Sequence, residues 1–282
     1  MENLLAIIND PANSKEFIRY SYSLAEEFNF NVHLLYIQNP TIYSMSSGSI
    51  RAGSQPVGTE IEIDKKNALS LIQEKVRKVK KELPNEKSVN LSAETGSKKL
   101  VIKEYMKEKR AEMIILEGKK EGGLWTTQTD NMSLIQNIKY PGWLIPYRSD
   151  YVPYKRILYA TDYKETDLTV LKNLIRLTRV FSPEITMAHV ADSDELEDEA
   201  KTSGFMEMIK KKVDYDNIII KKLINKGNRS IGDMLNEYAV ENNINLLVLL
   251  KENKSFLEKL FIPGVAKKIL KKSDIPVLVY PQ

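Results

Sequence analysis

Two stretches of the chain repeat one pattern: residues 3–38, NLLAIINDPANSKEFIRYSYSLAEEFNFNVHLLYIQ, and residues 155–191, KRILYATDYKETDLTVLKNLIRLTRVFSPEITMAHVA. A constant offset of 153 residues, which sets Asn9 on Asp162, relates them without a gap. In each stretch a β-prone run leads through a polar turn into a helical pattern and then into a second β-prone run. This order predicts a parallel pair of strands with a right-handed crossover.

The helical part of the second stretch has an apolar stripe. The residues that recur at the spacing of one helix face are Leu168, Leu171, Leu174, Ile175 and Val180. Thr166 or Asp167 is expected to be the N-cap, because the side-chain oxygen of either residue can accept a backbone N–H.

Each copy of the pattern continues in the same order, with a second helix, two more strands and a final apolar run after a proline. The predicted helices are 63–83 and 194–213, the third strands 88–93 and 217–223, the fourth strands 113–116 and 246–250, and the final runs 140–146 and 275–281. Strict alternation of strands and helices predicts the α/β class. The expected architecture is two tandem doubly wound open parallel five-stranded sheets, each with helices on both faces.

A short polar segment at 147–154, YRSDYVPY, separates the two copies. The predicted domains are therefore 1–148 and 154–282, and so short a linker leads us to expect that they pack on each other. The first copy is lengthened by a Ser- and Gly-rich insertion at 38–60 that has no periodicity. We expect a mobile surface loop there, and the alternative is a lid or a partner-binding loop.

The composition excludes several classes of protein. A chain with 42% hydrophobic and 28% charged residues is typical of a soluble globular protein, and no apolar run approaches the roughly 18–20 residues needed to span a bilayer. The absence of cysteine excludes disulfides and thiolate metal sites. A net charge of +4 without a recognition motif does not favour nucleic-acid binding. Because the N-terminal MENLLAIINDP lacks the features of a targeting signal, we expect a cytoplasmic protein.

Three stretches of the second copy carry a resemblance to a known family: RILYATDYKETD, ITMAHV and LLVLLKENKSFLEKLFIPGVAKKILKKSDIPVLVY. On these stretches the chain resembles a tandem universal stress protein, that is, two fused domains of that family. The first copy matches more weakly, through AEMIIL and YPGWLIP. The resemblance covers almost the whole chain and implies a role in a stress response.

The nucleotide-binding members of this family carry a G-x2-G-x9-G-[ST] motif after the fourth strand. In the second copy the aligned residues are Leu250, Asn253, Pro263 and Gly264, and in the first copy Glu117 stands near the first glycine. A Cβ atom at a position that needs a positive φ is costly and also blocks close approach of a phosphate. Neither copy has the motif, so the resemblance implies a protein that is not a normal ATP binder.

Some residues of the family's site have counterparts in the second copy. The resemblance implies that Asp162 faces an adenine and that Gly227 forms a turn beside the same cleft. Lys251, Lys254 and Ser255 could hold phosphates by their side chains. The alternatives are that Asp162 only caps a turn, that Gly227 only permits a left-handed turn and that Lys254 is a solvated surface residue.

No nucleophile–base pair and no set of metal ligands stands out, and the two histidines, His33 and His189, are not at equivalent positions. We therefore expect a non-enzymatic binding or regulatory module without a cofactor. The alternative is an adenine-nucleotide-binding protein that uses Asp162 and hydrolyses ATP slowly at most.

The expected partners follow from the repeat and the resemblance. In the family the domains commonly pair through the last strand, which here gives an intramolecular pseudo-dimer of the two repeats through 142–146 and 277–281. A homodimer and an unidentified protein partner are also expected, whereas a nucleic acid and a membrane are not.

Overall fold

The structure is a computed structural model that describes residues 2–39, 57–83, 87–118, 131, 134–135, 137–191, 196–225, 229–251 and 275–281. The strands are β1 (Asn3–Ile8), β2 (Asn31–Gln38), β3 (Val89–Thr95), β4 (Ala111–Glu117), β5 (Gly142–Ile145), β6 (Arg156–Ala160), β7 (Glu184–Ala191), β8 (Ile218–Ile224), β9 (Leu246–Leu250) and β10 (Val277–Tyr280). The helices are α1 (Lys15–Glu27), α2 (Val57–Glu82), α3 (Lys98–Glu108), α4 (Glu165–Thr178), α5 (Leu196–Lys212) and α6 (Ile231–Glu241).

The chain forms two compact units. The first comprises residues 1–117 with 148–151, and its parallel strands follow the order β3-β2-β1-β4. The second comprises residues 118–147 with 152–282, and its order is β5-β10-β9-β6-β7-β8. All strand pairs of the second unit are parallel except β5 with β10.

The strand registers confirm the internal repeat. Asn3 lies opposite Asn31 in the first unit, and Arg156 lies opposite Glu184 in the second. Both pairs are related by the offset of 153 residues that the sequence predicts. The first strand–helix–strand unit of each copy is therefore built in the same register.

Burial explains why the central strands are almost continuously apolar. The side chains of Leu5, Leu158 and Leu249 are 0% exposed, and every residue of β9 is buried. Burial on both faces of a strand is what parallel sheets require, since their crossover helices cover the sheet. The predicted α/β class with mostly parallel strands is confirmed.

The last strand of each repeat lies in the second unit, where β5 pairs antiparallel with β10 and Leu278 lies opposite Trp143. Trp143 is fully buried, and its ring stacks on Tyr154 with 5.2 Å between centroids. The expected pairing of the two final strands is confirmed, and it covers two apolar edges that would otherwise invite aggregation. The domain limits 1–148 and 154–282 stay a prediction.

Two local predictions are wrong. Helix α2 begins at Val57 rather than at 63, so residues 57–60, which were predicted to be loop, are helical; residues 40–56 of the insertion lie outside the described residues. Val180 is 62% exposed and does not belong to the buried stripe. Helix α4 ends at Thr178, and a 3-10 turn at 179–181 rotates Val180 away from that face.

Candidate functional site

The predicted site lies at the carboxyl ends of the parallel strands of the second unit. Asp162 follows β6, His189 lies near the end of β7, and Lys251 directly follows β9. Open α/β sheets bind ligands at this edge, where the strand order reverses. We name the region around Asp162 at the ends of β6 and β7 the second-copy cleft.

Asp162 and His189 are neighbours in this cleft. Asp162 Oδ1 lies 3.8 Å from His189 Nδ1, and the Asp162 side chain is 41% exposed. His189 Nδ1 also lies 2.9 Å from the carbonyl oxygen of Thr161. Because a carbonyl only accepts, this contact is a hydrogen bond when Nδ1 carries the proton, which fixes the tautomer of a neutral ring.

The turn between β6 and α4 is built on a buried carboxylate that the sequence analysis assigned to another role. Asp167 is 2% exposed and accepts hydrogen bonds from the Tyr159 hydroxyl at 2.7 Å and from the Thr161 hydroxyl at 2.7 Å. The N–H of Lys164 donates to the same carboxylate at 2.9 Å. The expected N-cap at Thr166 or Asp167 is wrong, because the N-cap is Lys164 and Asp167 acts from the first turn of the helix.

An aromatic side chain occupies the second-copy cleft. The Tyr163 ring lies 4.7 Å from the His189 ring and 5.2 Å from the Phe205 ring, between centroids. The Thr202 hydroxyl donates to the Tyr163 hydroxyl at 3.2 Å. Tyr163 has a φ of 59°, in the left-handed region that a non-glycine residue rarely adopts.

A small cavity lies beside Asp162. The cavity there is about 10 Å³ and is lined by Ala160, Thr161, Asp162, Ala188, Val190, Ile231 and Leu235. A volume of about 10–15 Å³ accommodates a single water molecule. The cavity lined by these seven residues is therefore too small for a nucleobase.

The structure places only part of the predicted site. Lys251 donates its backbone N–H to the Tyr280 carbonyl at 3.0 Å and its Nζ to the Ile138 carbonyl at 3.2 Å. Gly227, Lys254 and Ser255 lie outside the described residues, so their predicted role stays a prediction.

The two residues at the first glycine of the family motif are described in both copies. Leu250 is the last residue of β9 and is 9% exposed. Its counterpart is Glu117, because β4 pairs with β1 as β9 pairs with β6. Both are buried side chains at the position where the motif has no side chain.

Glu117 has an unusual environment. Its carboxyl is 7% exposed and accepts the N–H of Arg148 at 3.1 Å. Burial raises the pKa of Glu117 from 4.5 to about 7; the Glu16 and Asp10 carboxylates add to the rise, and the Arg148 N–H and the Arg148 charge oppose it. The sequence gives no signal for this, since a glutamate at the end of a strand is ordinarily solvated.

The first unit contains a larger cavity that the sequence analysis did not predict. Its volume is about 430 Å³, within the range of small-molecule pockets. We name it the first-copy cleft; it is lined by Asn9, Asp10, Pro11, Ala12, Tyr36, Ile37, Gln38, Asn39, Asp64, Asn67, Ala68 and Leu71. These residues come from the loop after β1, the end of β2 and the first half of α2.

Two kinds of site are absent from the described residues. No group of three or more His, Cys, Asp or Glu side chains in that part of the chain is arranged to hold a metal ion. In the same part, no helix combines the length and the apolar character that a membrane span requires.

Comparison with known proteins gives one consistent result. The family model described as "Universal stress protein family" matches residues 1–125 and 153–281. A universal stress protein of Methanocaldococcus jannaschii is 25% identical over 156 residues, which cover 45% of this chain and 95% of that protein.

Solved structures resemble the whole chain. A universal stress protein from Archaeoglobus fulgidus matches with a TM-score of 0.69 at 12% identity, over 100% of this chain and 99% of that one. A Pseudomonas aeruginosa protein matches with a TM-score of 0.61 at 14% identity, over 100% and 93%. At these identities the two structures support the fold alone.

Proposed function

Because the chain belongs to the universal stress protein family, with a match in each repeat, we propose that it is a non-enzymatic binding or regulatory module whose action does not depend on ATP. We further propose that the two repeats form an intramolecular pseudo-dimer, that the chain forms a homodimer and that it binds an unidentified protein partner.

The packing of Tyr163 in the second-copy cleft carries the proposal. An adenine ring that packed on the His189 ring beside Asp162 would compete with Tyr163, whose ring contacts those of His189 and Phe205. Displacing the Tyr163 ring would lose two aromatic contacts, each worth about 0.5–1.5 kcal/mol, before any contact with the base forms. A ligand that must first open its own site binds more weakly by that cost.

The end of β9 supports the same conclusion. A phosphate held by backbone amides needs the chain to approach without a Cβ atom in the way. Leu250 is buried there and continues the strand, with Tyr280 opposite it on β10. Glu117, in the corresponding place of the first unit, would add a negative charge next to a phosphate whenever it is ionised.

Calorimetric titration of the full chain with ATP tests the proposal, with Asp162→Ala as the comparison variant. We expect no heat of binding up to millimolar ATP and no rise of the melting temperature. Binding of one nucleotide per chain that is lost in Asp162→Ala would overturn the proposal and would place the nucleotide in the second copy.

The second candidate function is adenine-nucleotide binding in the second copy with slow hydrolysis at most. The observation that favours it is the 41% exposure of the Asp162 side chain at the ligand-binding edge of the sheet. In this candidate the adenine contacts Asp162, and the phosphates contact Lys251, Lys254 and Ser255. The same titration, followed by measurement of the ADP formed, decides between the two.

A further inference from the structure

We propose that the first-copy cleft binds a small organic cation with an apolar body. This inference deepens the proposed function, since it rests on the chain being a binding module and names a ligand class for one of its two copies. It concerns a cavity in the first unit whose lining residue Asn9 is the counterpart of Asp162 and donates from Nδ2 to the Glu117 carbonyl at 3.4 Å.

The lining of the first-copy cleft is negatively charged. Two carboxylates, Asp10 and Asp64, line the cleft, and no lining residue in the described part of the chain is positively charged. Lys98 donates from Nζ to Asn9 Oδ1 at 2.9 Å, so this neighbouring cation is bonded to the protein. A positive ligand would gain Coulomb energy from both carboxylates, and a phosphate would be repelled by them.

Backbone amides of the loop after β1, which an anion could otherwise bind, are already hydrogen-bonded within the protein. Asp10 Oδ1 accepts the N–H of Ala12 at 3.0 Å and the N–H of Asn13 at 3.4 Å, and Asp10 Oδ2 accepts the Asn13 side-chain amide at 2.8 Å. The carboxylate thus occupies the place that an anion could take in the loop before α1. It is also held in position before a ligand arrives, which reduces the entropy lost on binding.

The field of the two carboxylates reaches the inside of the cleft. The pKa of the Tyr36 hydroxyl is raised by burial first and then by Asp64 and Asp10. Tyr36 therefore lies within reach of both charges, and its hydroxyl and ring can contact an ammonium or guanidinium group.

The rest of the lining favours an apolar body on the cation. Pro11, Ala12, Ile37, Ala68 and Leu71 contribute apolar surface, and Leu71 is 40% exposed although it is a large hydrophobic side chain. Covering such a surface stabilises a complex by roughly 25 cal/mol per Å² of apolar area removed from water. The combination of apolar walls and two carboxylates is complementary to an amphipathic amine.

Methyl NMR of the full chain with three indole compounds tests the inference. Tryptamine is the cationic probe, tryptophol is its neutral counterpart and indole-3-propionate is the anionic one. We expect tryptamine to shift the methyl signals of Ala12, Ala68 and Leu71 at the lowest concentration and indole-3-propionate at the highest. The methyl signals of Ala160 and Ala188, which line the cavity beside Asp162, serve as the internal reference.

Matched variants separate charge from packing. Asp10→Asn keeps a side-chain oxygen for the N–H of Ala12, and Asp64 is exposed on α2, so both changes leave the fold intact. We expect the double variant to weaken tryptamine binding about tenfold, as for the loss of two solvent-accessible ion pairs, and to leave tryptophol unchanged. Asp162→Asn, which removes an exposed carboxylate in the second copy, is expected to have no effect.

Several results would overturn the inference: equal affinity for tryptamine and tryptophol, unchanged tryptamine affinity in the double variant, or no shift of the three cleft methyl groups up to millimolar tryptamine. If the ATP titration is silent and tryptamine fails, the ligand class is wrong and the proposed function stands. If ATP binds through Asp162 while the cleft still selects tryptamine, the proposed function is wrong and the cleft assignment stands.

Discussion

The loops after β1 and β6 occupy the same place in the two repeats, yet they line cavities of very different size. Asp10 and Tyr163 are related by the offset of 153 residues. Asp10 turns its carboxylate back onto the amides of Ala12 and Asn13, and a cleft of about 430 Å³ remains. The Tyr163 ring instead contacts the rings of His189 and Phe205, and the cavity lined by Asp162 is about 10 Å³.

The two loops also differ in the side chains that lie inside them. The first copy has Ala6, Ile8 and Ser14 where the second has Tyr159, Thr161 and Asp167. Ser14 makes a short-range bond from its hydroxyl to the Pro11 carbonyl, at 3.0 Å. The second copy instead builds a buried network around one carboxylate. The two repeats thus share the backbone register and differ in the polar side chains inside the loop.

The largest expected effect comes from breaking the network of the second copy. Asp167→Ala removes the buried acceptor of the Tyr159 and Thr161 hydroxyls. We expect the free energy of unfolding of the second unit to fall by about 3 kcal/mol or more, since each buried polar group that loses its partner costs about 1–3 kcal/mol. Hydrogen exchange measured by mass spectrometry on peptides from 156–191 resolves this unit from the first.

Ser14→Ala is the matched change in the first copy. It removes one hydrogen bond within a local turn, so the expected loss is about 1 kcal/mol, and peptides from 3–38 report it. Similar losses of unfolding free energy in Asp167→Ala and Ser14→Ala would contradict the expectation that the buried network stabilises its unit more than the local turn does.

The next prediction concerns how the stability of the first unit depends on pH. The pKa of Glu117 is raised from 4.5 to about 7, so this carboxyl favours the folded state while it is protonated. Its stabilising contribution is fully present below pH 4.5 and is lost as the pH rises through 7. Glu117→Gln stays neutral and should make the first unit more stable at pH 8, by about 3 kcal/mol at most.

Unfolding in urea at pH 5 and pH 8, with and without Glu117→Gln, measures this contribution. We expect the variant to gain stability relative to the parent chain between these two pH values. Leu250 occupies the matched position in the second unit and cannot titrate, so Leu250→Met should give the same difference from the parent at both pH values. A gain in Glu117→Gln that does not depend on pH would contradict the role assigned to burial.

Much of the fold could be predicted from the sequence because hydrophobic periodicity and the repeat both report local structure. The offset of 153 residues reproduces the observed pairing of β1 with β2 and of β6 with β7. The strand at 246–250 was predicted at its observed limits. The start of α2 was missed because a Gly- and Thr-containing first turn has no apolar stripe.

The site was harder to predict because it depends on contacts between distant residues. Phe205 contacts Tyr163 only after α5 has packed on the sheet. Nothing in the sequence near Tyr163 indicates this contact. The raised pKa of Glu117 arises from burial, which single-sequence patterns do not give for a charged residue. The absent motif at Leu250, in contrast, was visible because it depends on local residue identity.

The smallest expected effect tests whether the left-handed backbone at Tyr163 is strained. Tyr163→Gly removes the ring contacts with His189 and Phe205, but it also relieves a non-glycine residue at a φ of 59°. The two ring contacts are worth about 1–3 kcal/mol together and the backbone strain about 1–2 kcal/mol with the opposite sign, so the net change in unfolding free energy should be about 1 kcal/mol or less. Tyr163→Ala loses the same ring and keeps the Cβ atom, so it should be less stable than Tyr163→Gly by about 1 kcal/mol. Equal stability of the two variants in urea would mean that the left-handed backbone at Tyr163 is not strained, and aromatic packing alone would then hold the Tyr163 ring against His189 and Phe205.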